Sequence, residues 1–120
     1  MMANLPYKAR ELLWIASSKD DISAFPKAAR STLGFSLMQV QIGETPENAT
    51  PLPELGSGVM ELKAQADGNA HRVVYAVKLQ RGVYVLDAFV KKSKKGKEIP
   101  REIKERIKQR YAEAVRRDRE

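Results

Sequence analysis

The sequence predicts an α+β fold: a small antiparallel or mixed β-sheet with N-terminal helices and a C-terminal basic helix packed on one face. Two observations lead to this class. Apolar residues recur with a helical period near 3.6 before residue 44 and with a period of 2 after residue 58. The last twenty residues return to a helical period. With 120 residues and 42% apolar content, the chain can bury one modest core, so we expect a single domain over residues 1–120.

The N-terminal part predicts one strand followed by two helices. The stretch "ELLWIASS" (11–18) is short and apolar, which suits a strand buried on both faces. Ser17 or Ser18 then suits a helix N-cap, with Asp20 and Asp21 in the first turn. A second helix is predicted from Pro26 to a stop at Gly43. Its buried stripe would comprise Ala29, Leu33, Leu37 and Val40.

An ordered loop is predicted over residues 44–58, which carry three prolines and two glycines. Three strand-like segments follow, "VMELKAQA", "HRVVYAVKL" and "VYVLDAFV", separated by "DGN" and "QRG". Such turn residues are typical of consecutive hairpins, so we expect an antiparallel meander. Strict alternation would place Arg72 and Val74 on one face of the middle strand and Val73 and Tyr75 on the other.

The C-terminal segment, residues 100–120, predicts an amphipathic and strongly basic helix. Pro100 suits a helix start. Apolar or aromatic residues recur every four positions and would pack on the sheet: Ile103, Ile107, Tyr111 and Val115.

Charge is distributed unevenly along the chain. The net charge is +7, yet residues 71–120 hold 16 basic and 7 acidic side chains, whereas residues 1–70 hold 6 and 8. This asymmetry indicates a polyanionic partner such as a nucleic acid, an acidic protein or a membrane surface. Membrane binding is the weakest of these, because the final helix lacks a broad apolar face with exposed aromatics.

The amino-acid composition disfavours several classes of chemistry. There is no cysteine, and His71 is the only histidine, so a thiolate metal site and a Ser-His-Asp relay are disfavoured. We therefore expect no metal and no cofactor, and we expect His71 to be an exposed residue at a strand start. The N-terminus lacks a signal-peptide pattern and no apolar run approaches about 18 residues, so a cytoplasmic protein is the expectation.

Basic side chains of the three predicted strands would converge on one sheet face. Lys63 lies on the first strand, Arg72 on the second, and Lys91 and Lys92 at the end of the third. Neighbouring strands lie about 5 Å apart, so a cluster is expected if the register is right. A bound phosphate would relieve the repulsion within such a cluster. Two alternatives remain open. The lysines within residues 91–97 form a solvated turn, or Arg72 pairs with Glu61 across the hairpin.

This cluster suits RNA cleavage without a metal, since the attacking 2′-hydroxyl belongs to the substrate. The protein must supply a base, cations for the crowded phosphate and an acid for the departing 5′-oxygen. Arg72 suits the phosphate, because its planar fork binds two oxygens and stays charged. Lysines beside it are expected to have lowered pKa values and to move protons.

Taken together, "WIASSKDDISAFP", "LGFSLMQVQIGETP", "PLPELGSGVMELK", "HRVVYAVKL" and "VYVLDAFVKKSKKGKEIPREI" resemble the RelE/ParE superfamily of bacterial toxins, in its HigB-like, phage-derived branch. The resemblance covers residues 10–115. It implies a type II toxin-antitoxin toxin: an mRNA interferase, acting on ribosome-associated mRNA and leaving 2′,3′-cyclic phosphate and 5′-hydroxyl ends. It also implies a cognate helix-turn-helix antitoxin as partner.

By the same resemblance, Arg72 matches the catalytic arginine, Lys63 a basic residue of the preceding strand and Lys91 the basic residue ending the last strand. The RNA-binding residues would be Lys92, Lys94, Lys95 and Lys78. Glu61 departs from the pattern, because some relatives have a basic residue there. The alternatives are a ParE-like poison of DNA gyrase and a nucleic-acid-binding relative without catalysis.

Overall fold

A computed structural model describes residues 9–91 and 98–120. Within these ranges the elements are, in chain order, β1 (Leu12–Trp14), α1 (Ser18–Ser23), α2 (Lys27–Gln41), β2 (Ala49–Pro51), a 3₁₀ turn (Pro53–Leu55), β3 (Val59–Ala66), β4 (Asn69–Ala76), β5 (Val83–Lys91) and α3 (Arg101–Arg119). No helix in the described parts of the chain is both long enough and apolar enough to cross a membrane.

The five described strands form one mixed sheet in the order β1-β5-β4-β3-β2. Strands β3, β4 and β5 are the predicted antiparallel meander. Strand β1 is added to β5 in parallel, and β2 is added to β3 in antiparallel orientation. The α+β class is therefore confirmed.

The helices lie on both faces of the sheet rather than on one. The predicted α2 stripe is confirmed: Ala29, Leu33, Leu37 and Val40 are buried against Leu62, Val73 and Tyr75. Helix α3 covers the opposite face, where Ile107 and Ala114 pack with Val74, Leu86 and Phe89. The physical reason is visible in the meander itself. Val73 and Val74 point to opposite faces and are both fully buried, so two apolar layers need covers.

Strand β1 is an edge strand whose three residues are only half buried, so the expectation of burial on both faces is wrong. The close approach of β1 to β5 depends on Gly82, the last residue of the predicted "QRG" turn. A Cβ atom at this position would lie 2.4 Å from the backbone oxygen of Glu11. The predicted loop at 44–58 is partly regular as well, since it contains β2 and the 3₁₀ turn.

Helix α3 is attached to β5 through a buried carboxylate. Asp87 is fully buried, and its Oδ2 accepts a hydrogen bond from Arg106 Nε at 2.8 Å. Its Oδ1 accepts from Arg106 Nη2 and Arg110 Nη1, both at 3.1 Å. At the far end of the helix, the Asp118 carboxylate accepts from the backbone N–H groups of Gln80 and Arg81 at 2.8 Å. Part of the basic charge of α3 is therefore structural.

Candidate functional site

The three predicted catalytic residues lie on one face of the sheet, the face that α3 covers. Lys63 is directly opposite Arg72 in the β3–β4 ladder. Arg72 is opposite Phe89 in the β4–β5 ladder, and Lys91 lies two residues beyond Phe89. Side chains alternate between faces along a strand, so all three point to the same side. The register, which the sequence left open, therefore allows the expected cluster.

A cleft with a volume of ≈ 280 Å³ opens at this point of the sheet. Its floor includes Arg72 and Glu61, and Lys63 lies at its edge. The segment before α3 contributes Glu98 and Ile99, and α3 itself contributes Lys104. The remaining lining comes from β2 and the 3₁₀ turn: Thr50, Leu52 and Glu54. The cleft thus contains three cations and three carboxylates.

Arg72 and Glu61 form a buried ion pair. Arg72 Nη1 donates to both carboxylate oxygens of Glu61 at 2.9 Å, and the two side chains are 8% and 7% exposed. This is the cross-hairpin contact that the sequence left open as an alternative to a phosphate site. Arg72 Nε is buried and has no hydrogen-bond partner among the described residues. The guanidinium is therefore only partly satisfied by Glu61, and it keeps donors for a further acceptor.

Lys91 is buried beside this pair. Its Nζ donates a hydrogen bond to the backbone oxygen of Glu98. Burial lowers the pKa of Lys91 below the usual lysine value, and the neighbouring charge of Arg72 lowers the pKa further. The expectation of a lysine with a lowered pKa is met here. Such an amine gives up its proton more readily than a solvated lysine does.

Lys63 and Lys104 are the more accessible cations of the cleft. Lys63 is exposed, and Lys104 is partly exposed on the first turn of α3. Lys104 is a cleft residue that the sequence did not predict, because its place depends on how α3 crosses the sheet. Its position within the first helical turn after Pro100 was the only available signal.

The predicted RNA-binding lysines are not brought together with the cleft. Lys78 is exposed and lies beside Leu79, Val115 and Asp118, at the opposite end of the sheet. It lies six positions along the chain from Arg72, which corresponds to about 20 Å in an extended conformation. Lys92, Lys94 and Lys95 lie outside the described residues.

His71 is buried, so its predicted exposure is wrong. It is 3% exposed and packs edge-on against Phe25, with ring centroids 4.9 Å apart. Strand β4 begins at Asn69, two residues before the predicted strand start at His71, and Phe25 of the α1–α2 connection packs on this end of the sheet. Tyr75 belongs to the core as predicted, and burial raises its pKa to about 12.

The cleft can bind an anion and transfer protons, but its described part is not a metal site. No group of three or more His, Asp or Glu residues suited to a metal occurs within residues 9–91 and 98–120. The cleft combines a buried guanidinium, three carboxylates and two more accessible ammonium groups, and the buried amine of Lys91 lies beside it. These are the groups that acid–base catalysis at a phosphodiester requires.

Comparison with known proteins identifies a matching family and a similar solved structure. The model of the family "Phage derived protein Gp49-like" matches residues 20–112. The structure of a double arginine-to-alanine mutant of the E. coli toxin RelE in the free state is similar, with a TM-score of 0.54 and 21% identity. The match covers 91% of this chain and 97% of that one. No curated protein matches significantly.

Proposed function

The chain belongs to the phage-derived Gp49-like family and has the RelE fold, and from this premise we propose that it is the toxin of a type II toxin-antitoxin system. Its proposed activity is that of a metal-independent mRNA interferase acting in the cytoplasm on ribosome-associated mRNA. A cognate helix-turn-helix antitoxin would hold it inactive. The observation that carries the proposal is the convergence of Lys63 and Arg72 in one cleft, with Lys91 beside them on the same face of the sheet.

Each proposed role follows from the position of the group. Arg72 lies on the cleft floor and would bind the non-bridging oxygens of the scissile phosphate, where charge accumulates in the transition state. Lys63 would hold the neighbouring phosphate from the edge of the cleft. Lys91, with its lowered pKa, would donate a proton to the departing 5′-oxygen.

Glu61 takes on a different meaning in this geometry. By the resemblance, Glu61 stands where some relatives have a basic residue. In the cleft, it is a carboxylate next to Arg72. It would accept the proton of the 2′-hydroxyl as that oxygen attacks phosphorus. The bond from phosphorus to the 5′-oxygen then breaks, and the 5′-oxygen receives its proton from Lys91. The products would be a 2′,3′-cyclic phosphate and a 5′-hydroxyl.

The test is induced expression in a bacterial host, with growth and primer extension on a cellular mRNA followed together. Wild type is compared with Arg72→Ala, Lys63→Ala and Lys78→Ala. Lys63 is exposed, so its replacement should not unfold the protein, whereas Arg72→Ala also breaks a buried ion pair. Lys78→Ala is the matched control, because it removes an exposed lysine far from the cleft.

We expect the wild type and Lys78→Ala to arrest growth and to produce discrete mRNA cuts. The cuts should disappear with Arg72→Ala and decrease at least tenfold with Lys63→Ala. Growth arrest with intact mRNA and DNA damage would instead identify a gyrase poison. Absence of both effects would indicate a relative without catalysis.

A further inference from the structure

A second cavity adjoins the proposed active site on the other side of Lys63. It is a shallow groove of ≈ 640 Å³ between the outer face of α2 and the chain that enters β2. Five of its eight lining residues carry hydroxyl or amide groups, and the two charged ones are Glu47 and Lys63. The residues that matter here are Ser31, Thr32, Phe35, Gln39, Asn48 and Lys63.

Phe35 is exposed in this groove without a packing role. Its side chain is 59% exposed, and it lies outside the buried stripe that holds α2 on the sheet. Met38, one turn along the helix, is 50% exposed but does not line the groove. The exposed ring of Phe35 is therefore available to a ligand that enters the groove.

Lys63 connects the groove to the cleft, since it lines both cavities. Its backbone is held in place by Asn48. Lys63 N donates to Asn48 O at 3.3 Å, and Asn48 Nδ2 donates to Lys63 O at 3.0 Å. A cation therefore stands at a defined position between the proposed phosphate site and an exposed aromatic ring.

We propose that the groove is a nucleobase subsite, in which a base of the single-stranded RNA beyond the two nucleotides that flank the scissile phosphate stacks on Phe35. This inference rests on the proposed function, because the strand reaches the groove from the cleft past Lys63. An aromatic ring beside a cation, surrounded by hydroxyl and amide groups, is the combination that binds single-stranded nucleic acid. A docking site for a protein would be expected to be more apolar at its centre and need not continue into the cleft.

The experiment measures fluorescence anisotropy of labelled RNA that is 2′-O-methylated throughout. This RNA cannot be cleaved, because it lacks the attacking hydroxyl. A dinucleotide, which fills only the cleft, is compared with an octanucleotide, which also reaches the groove. The proteins are wild type, Phe35→Leu, Phe35→Trp and the matched control Met38→Leu.

Phe35→Leu should weaken octanucleotide binding by roughly 5- to 150-fold, the effect of one lost base stack. Phe35→Trp and Met38→Leu should bind like wild type, and the dinucleotide should not distinguish the four proteins. Unchanged octanucleotide affinity in Phe35→Leu would overturn the subsite. If Phe35→Leu instead failed to bind a co-expressed antitoxin, the groove would be a protein-docking site.

Failure of the proposed function would give different results from failure of the subsite. If wild-type protein bound neither RNA, the subsite would be overturned, and primer extension in cells would decide separately whether mRNA is cut. If wild type bound the octanucleotide and Phe35→Leu did not, while cells showed no cuts, the subsite would stand in a protein that binds RNA without cleaving it.

Discussion

The ion pair between Arg72 and Glu61 joins stability and function in the same two residues. Both side chains are more than nine-tenths buried, and each is the charged partner of the other. Removal of one partner leaves an uncompensated buried charge, which typically costs several kcal/mol. Loss of activity in a variant of either residue is therefore informative only alongside a measurement of folding.

A double-mutant cycle measures the interaction energy between Arg72 and Glu61 separately from their contacts with other residues. Arg72→Ala and Glu61→Ala should each lower the free energy of unfolding by about 3 kcal/mol. The double variant should lose clearly less than the sum, because it leaves neither charge alone. Urea denaturation measures all four proteins, and Lys63→Ala serves as an exposed control. Additive losses would show that the two charges are not coupled.

Lys91 makes the stability of the protein depend on pH in a predictable direction. Burial and Arg72 lower its pKa in the folded state, whereas the unfolded chain has the ordinary lysine value near 10.5. Between these two values the folded protein binds fewer protons, so the free energy of unfolding rises with pH up to about 10.5.

The comparison is between wild type and Lys91→Met, which lacks the titrating amine. The difference in free energy of unfolding, wild type minus variant, should increase as the pH rises from the folded-state pKa of Lys91 towards about 10.5. Urea denaturation at a series of pH values gives this difference directly. A difference that stays flat or falls would mean that the amine is not desolvated in the folded protein.

At the scale of elements, the attachment of α3 decides whether the cleft exists. This helix contributes Lys104 to the cleft wall, and the buried Asp87 holds it through Arg106 and Arg110. The two arginines are 42% and 16% exposed, so they can return to water when the carboxylate is removed. The helix itself should survive, whereas its packing on β5 should weaken.

Asp87→Ala should lower the free energy of unfolding by about 2–3 kcal/mol, slightly less than a fully buried pair would lose. Glu113→Ala is the matched control, since Glu113 pairs with Arg116 and Arg117 on the exposed face of the same helix. Its loss should cost less than about 1 kcal/mol. Urea denaturation measures both variants, and equal effects would contradict the anchoring role of Asp87.

Over the whole molecule, fewer positive charges are available to a partner than the net charge of +7 suggests. Several cations of α3 are engaged within the protein by Asp87 and Glu113. The electrostatic footprint for RNA should therefore be small within the described residues and centred on the cleft. Lys63 and Lys104 are its accessible members.

This footprint predicts how RNA affinity depends on salt. The slope of log affinity against log salt concentration should become shallower by about 0.7 in Lys63→Ala, the value for one contact with a single-stranded phosphate. Lys78→Ala should leave the slope unchanged, because Lys78 lies at the opposite end of the sheet. Anisotropy titrations over a salt series give both slopes, and a shallower slope in Lys78→Ala would place RNA elsewhere on the surface.

The sequence by itself determined the features that depend on local residue patterns. Strand β3 has the predicted bounds, the α2 stripe is buried, and alternation correctly placed Lys63, Arg72 and Lys91 on one face. Periodicity and turn chemistry are properties of neighbouring residues, so they can be recognised without knowledge of the fold.

Only the tertiary structure decided which distant segments meet. It placed the helices on opposite faces of the sheet, buried His71, paired Arg72 with Glu61 and separated Lys78 from the cleft. It also created the groove at Phe35, which depends on where the chain before β2 crosses α2. These outcomes follow from packing two apolar sheet faces and from pairing buried charges, and both are interactions between segments that are far apart in the sequence.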